Sequence, residues 1–110
     1  RLQRAARAFL DPELQQGRWT FDTARDFLEN QVGLSRAFAT AEVERYTFLM
    51  PGQATAYFCG FVHLMALRRE VEQRLGPRFD AMAFHDAILG EGLLPPDLLR
   101  DAVLRKMGGA

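Results

Sequence analysis

Apolar residues recur along this chain at three- and four-residue intervals, the spacing of helices with one buried face. No stretch alternates apolar and polar residues as a half-buried strand does. Cap and turn residues divide the pattern into about six helices. The first covers about 1–10, where Asp11-Pro12 can break it or restart a turn to Gln16. Gly17 and Arg18 lead to the second, 21–32, with Thr20 as N-cap and Gly33 as its stop. Its apolar stripe is Phe21, Ala24, Phe27, Leu28 and Val32, and Trp19 stands where a hydrophobic staple residue packs.

Ser35 caps a third helix, 36 to about 49, which Pro51-Gly52 ends or kinks. The fourth runs from about 52 to 75, roughly 36 Å at about 1.5 Å per residue. Its first half is apolar nearly all round, through Ala56, Tyr57, Phe58, Phe61, Val62 and Leu64. Its last two turns carry Arg68, Arg69, Glu70, Glu72 and Arg74, so one end is expected to be buried and the other to leave the core. Asp80 caps a fifth helix, 81–89, with Phe79 and Phe84 at staple spacing. Pro96 opens a sixth that reaches about 107, and Gly108-Gly109 reads as a frayed end. The predicted fold is all-α: about six helices packed around one long central helix, with no sheet, as a single domain over 1–110.

Composition narrows the function classes. Fourteen basic residues balance fourteen acidic ones, which argues against nucleic acid as a partner, since that affinity rests on excess Lys and Arg. A single cysteine excludes an internal disulfide framework. Two histidines and that cysteine make no complete zinc-ligand set, so no metal site and no cofactor are expected in this chain. The stretch 46–67 carries no formal charge and has the length of a bilayer span, about 20 residues. Pro51, Gly52, Gln53, Thr55, Gly60 and His63 interrupt it, so a buried central helix is expected and a membrane span is not. The chain opens at Arg1 inside a helical run, which reads as a piece of a longer protein whose missing partners would cover apolar faces. Compartment is open; one unpaired cysteine is compatible with the cytoplasm.

Arg45 is the most informative single position. Phe38, Ala41, Arg45 and Leu49 share helical spacing, which puts its stem on or beside an apolar stripe. A guanidinium there needs a carboxylate, from Glu42 one turn back or from a ligand, or it snorkels at the core's edge. Gln53, Tyr57 and Gly60 fall on one face, where Gln53 could bond the Tyr57 hydroxyl and Gly60 would admit a backbone or a ligand. Tyr46 could point into the same space, and a tyrosine hydroxyl can donate to a developing oxyanion. Cys59 and His63, four apart, offer two metal ligands at most, and Cys59 reads as a small buried residue. His85, between Phe84 and Asp86, reads as a local hydrogen-bonding residue. No phosphate loop, nucleophile elbow or H-E-x-x-H is present.

The order of short motifs is specific in combination. Arg4-Ala5-Ala6-Arg7 and Gly17-Arg18-Trp19-Thr20 precede Glu42-Val43-Glu44-Arg45-Tyr46, Pro51-Gly52-Gln53-Ala54 and Tyr57-Phe58-Cys59-Gly60. Phe84-His85-Asp86 and Gly92-Leu93-Leu94-Pro95 follow. This order resembles the C-terminal part of the bacterial domain of unknown function 885 family, over nearly the whole chain. The resemblance implies a helical parent similar to zincin metallopeptidases of the carboxypeptidase Taq group, with its zinc held upstream. It implies a cleft wall in which Arg45 and Gln53 bind a peptide-like substrate, with Tyr46 and Tyr57 as catalytic candidates. The family commonly carries a Gly and a His where this chain has Glu13 and Gln15, which weakens or removes any role of that His.

Two readings follow. In one, the chain is the cleft-lining segment of a zinc metallopeptidase-like hydrolase, inactive alone, with the upstream part of its own parent as partner. In the other, it is a non-catalytic helical packing or dimerisation module, a possible homodimer.

Overall fold

The computed structural model describes residues 1–107; the expected frayed end at Gly108-Gly109 lies outside the described residues. Those residues form six α-helices and no strand: α1 (Leu2–Gln15), α2 (Phe21–Phe27), α3 (Arg36–Glu44), α4 (Thr55–Leu75), α5 (Ala81–Glu91) and α6 (Pro96–Met107). The all-α expectation holds. None of these helices is long and apolar enough to cross a membrane. Two compact units divide the chain, 1–59 and 60–110, with the first turn of α4 in the former.

In the first unit, α2 and α3 each end in one π-helical turn, Leu28–Val32 and Arg45–Leu49. The caps are those the sequence predicts: Thr23 N–H donates to Thr20 Oγ1 at 3.2 Å, and Phe38 N–H to Ser35 Oγ at 3.3 Å. Gly33 stops the second helix in the left-handed region, φ 81°, where a Cβ would be strained. The core gathers Leu10, Ala24, Leu28, Val43, Tyr46 and Ala54. Trp19 packs on Phe9 and Phe27, both ring centroids 5.3 Å away.

Three expectations are corrected here. Helix α1 runs unbroken through Asp11-Pro12 to Gln15, because Asp11 is fully buried and tied to distant backbone (below). The inward face of α3 is Ala39, Glu42, Val43 and Tyr46, whereas Phe38 and Leu49 of the expected stripe are 49% and 74% exposed. The buried face contains a glutamate, and a pattern search counts a glutamate as outward. Burial along α4 is the reverse of the expectation: its apolar first half includes exposed Tyr57, Val62 and Leu64, and its polar second half supplies buried Leu67 and Val71.

In the second unit, Leu67 and Val71 of α4 meet Phe84 and Ala87 of α5 and Val103 and Leu104 of α6. Asp80 caps α5 by accepting from Met82 N–H at 2.8 Å, and Phe79 packs on Phe84 with centroids 6.0 Å apart. Glu70 holds Arg100 of α6 through two bonds of 2.9 and 2.8 Å, linking that helix to α4.

Candidate functional site

The site grows out of the last turn of α3. Met50 N–H donates to the Arg45 carbonyl five residues back, at 2.8 Å, the bond that defines a π turn. The wide turn carries Arg45 and Tyr46 just beyond Glu42. Arg7 of α1 grips Glu42 with a fork: Nε donates to Oε2 at 2.8 Å and Nη2 to Oε1 at 2.9 Å. The Tyr46 hydroxyl, fully buried, donates to Glu42 Oε2 and accepts from Arg7 Nε at 3.2 Å.

The electrostatics follow from this enclosure. Burial favours the neutral form of Glu42, but the bonds from Arg7 and Tyr46 outweigh it, and its pKa lies below the usual carboxylate value. Glu42 also raises the Arg7 guanidinium against its own desolvation. Burial, then the Glu42 carboxylate, pushes the Tyr46 phenol above its ordinary range, so it stays protonated at neutral pH.

Arg45 is left short of a counter-charge. Its Nη1 is 4.0 Å from Glu42 Oε1, an oxygen that already accepts from Arg7. Its Nη2 is buried with no hydrogen-bond partner among the described residues. The guanidinium stands 5.8 Å from the Tyr46 ring centre and 5.9 Å from that of Tyr57, while Arg7 lies 5.1 Å from the same Tyr57 ring. Two guanidiniums and one carboxylate leave the cluster with one net positive charge. The Arg45 side chain is 30% exposed although its Nη2 is buried.

A second clamp supports the first. The Asp11 carboxylate accepts from Gly52 N–H at 2.9 Å through Oδ1 and from Ala54 N–H at 3.1 Å through Oδ2. It thereby caps the turn that leads into α4 and sets where Tyr57 begins. Gln15 donates to the Tyr46 carbonyl at 2.9 Å and, more weakly, to Asp11 Oδ1 at 3.4 Å. Gln15 is therefore tied to the backbone of the π turn.

Arg45, Tyr46 and Tyr57 are brought together. Gln53 is not: its exposed side chain bonds neither Tyr57 nor any other described residue. A Cβ on Gly60 would touch nothing within 4 Å, so no backbone presses there. In the second unit that glycine instead lines, with His63, Leu67, Leu94 and Leu99, a pocket of about 170 Å³. Cys59 is an exposed free thiol, not a buried one. His85 meets the Phe84 ring at 5.9 Å. Among the described residues no group of three or more His, Cys, Asp or Glu could hold a metal ion. Sequence reasoning missed the roles of Arg7 and Asp11, and no local pattern in the sequence signals either, since their partners lie 35 to 43 residues away.

The fold and the site define an all-helical protein with a buried carboxylate shared unequally between two arginines. The chain belongs to the family described as a bacterial protein of unknown function, DUF885, which it matches over residues 1–103. A search of curated proteins returns no match, and neither does a search of solved structures.

Proposed function

We propose that this chain is a substrate-facing helical segment of a zinc metallopeptidase-like hydrolase, with Arg45 as the anchor for an anionic group of a peptide-like substrate. The carrying observation is the unequal sharing of Glu42: Arg7 and Tyr46 occupy its oxygens, and Arg45 has a charge and a buried N–H left over. An arginine fork in that state matches an anionic oxygen group, either the terminal carboxylate of a peptide or a developing oxyanion. Tyr57 forms the ring against which the guanidinium rests. Tyr46, buried and committed to Glu42, acts by holding that carboxylate. Gln53, exposed at the turn before α4, would reach only a bound ligand.

The described residues of this chain do not fit a zinc site, and no step runs through the metal. Under this reading other residues of the parent hold it, and the chain alone has no hydrolase activity. The test is zinc content and peptidase activity of the full-length parent, followed by Arg45→Ala. Zinc with activity that falls in the variant supports the reading, and a parent without zinc overturns it.

A second reading, a packing or dimerisation module, draws on the protruding run Phe48, Leu49 and Met50, which are 73%, 74% and 50% exposed. Light scattering separates the two. A dimer that Leu49→Glu dissociates favours the second, and a monomer favours the first.

A further inference from the structure

Glu42 and Arg45 are one helical turn apart, the spacing at which a glutamate and an arginine ordinarily pair and cancel. Here they do not close: the gap is 4.0 Å, whereas Arg7, from another helix, makes two bonds under 3 Å to the same carboxylate. The fork of Arg7 takes one bond on each oxygen, and the Tyr46 hydroxyl takes a second on Oε2. Glu42 Oε2 thus has two donors and Oε1 one, and none of them is Arg45. Without that grip the buried carboxylate would turn to Arg45, whose Nη1 is 4.0 Å away and whose Nη2 is buried without a partner, because each group relieves the other's desolvation.

We propose that Arg7 is the positioning residue of the anion site: it holds Glu42 off Arg45 and so keeps Arg45 free for a ligand carboxylate. The inference rests on the reading of Arg45 as an anion anchor. Arg7 itself does not touch the ligand. It acts by occupying the one internal group able to compete for Arg45. Tyr57 stays in place in this scheme, since its ring meets either guanidinium within 6 Å.

The probe is N-acetylglycine, a small carboxylate, titrated into the full chain by calorimetry or by NMR of the arginine side-chain N–H signals, with inorganic phosphate in parallel. Arg45→Ala should abolish binding; if it does not, Arg45 is no anchor and the underlying reading fails. Arg7→Met should weaken binding about tenfold, the effect of a modest charge-assisted competitor. The double variant Arg7→Met/Glu42→Gln, which removes the competitor as well, should return affinity to within about threefold of the parent chain. Removing the unpaired Glu42 charge also restores folding, so urea midpoints are read beside affinity. A tenfold loss that persists on the folded fraction of Arg7→Met and returns in the double variant is positioning; a loss that disappears once the unfolded fraction is counted is mere support and overturns the role of Arg7. Loss of binding in Arg45→Ala, with the double variant also about tenfold weak, would overturn the role of Arg7 and leave Arg45 standing. Tighter phosphate than N-acetylglycine binding would overturn the carboxylate assignment.

Discussion

Replacing Asp11 by Ala tests whether a single buried carboxylate holds the chain's first unit in register. The side chain is fully buried and accepts two backbone N–H groups 41 and 43 residues away. A hydrogen bond to a charged group contributes about 1.5–3 kcal/mol when its loss leaves a buried partner bare. The Ala54 bond is buried and belongs at the upper end, whereas the Gly52 bond is partly open to water and belongs at or below the lower end. Against their sum stand the relieved desolvation of the carboxylate and the better helix propensity of Ala, about 0.5–1 kcal/mol together. The net expectation is a loss of about 2–4 kcal/mol. Trp19 is the chain's one tryptophan and packs inside this unit, so its fluorescence in urea reads the loss directly. The midpoint should fall at unchanged slope. Amide exchange at Gly52 and Ala54 should accelerate by roughly 30- to 900-fold, the same energy at about 1.36 kcal/mol per factor of ten. Asp11→Asn should recover less than half, because its amide offers one acceptor and sets N–H against N–H at the other site. A loss below about 1 kcal/mol with unchanged exchange would refute the clamp and return Pro12 to the role of helix breaker.

Breaking the Arg7–Glu42 pair from either side, by Arg7→Met or Glu42→Ala, should cost about 3 kcal/mol, and the double replacement Arg7→Met/Glu42→Leu distinctly less than the sum; additive losses in a urea double-mutant cycle would deny the coupling. The folded pKa of Glu42 lies below its unfolded value, so its contribution to stability is complete above about pH 4.3 and is lost as pH falls through the folded value; Glu42→Gln should flatten that acid limb of the urea midpoint. Tyr46 is raised, so its contribution is complete below about pH 10 and is lost as pH rises through the folded value; in Tyr57→Phe, which leaves one tyrosine, phenolate absorbance should appear only above the ordinary range, and a titration near 10 would contradict its burial. Gly60→Ala should stabilise by about 0.5–1 kcal/mol in thermal melts, since the glycine is helical and its Cβ would meet nothing; a loss would mean the pocket is tighter than it stands.

What the sequence makes legible and what it hides divide along the range of the forces involved. Thr20, Ser35 and Asp80 act within three residues and Gly33 within five, and each stands where a local rule puts it. Asp11-Pro12 obeys a local rule too, but the backbone that overrides it arrives from Gly52 and Ala54, and nothing near Asp11 announces them. The inward face of α3 was hidden for a related reason: Glu42 belongs to it only because Arg7 and Tyr46 neutralise its cost of burial, and neither is one of its immediate neighbours in the chain. Burial along α4 depends on what faces each half, so its apolar half reads as core although α5 and α6 cover the other. Arg45, Tyr46 and Tyr57 could be singled out because each is an odd residue in an apolar setting. Arg7 could not, being one of thirteen arginines on a helix whose own pattern is unremarkable. Yet the state of Arg45 is decided by Arg7: the pair that spacing suggests, Arg45 with Glu42, is the weaker of the two that Glu42 makes. A candidate site is thus nameable from the odd residues, but whether its charge is spent or free depends on partners that only the fold brings to it.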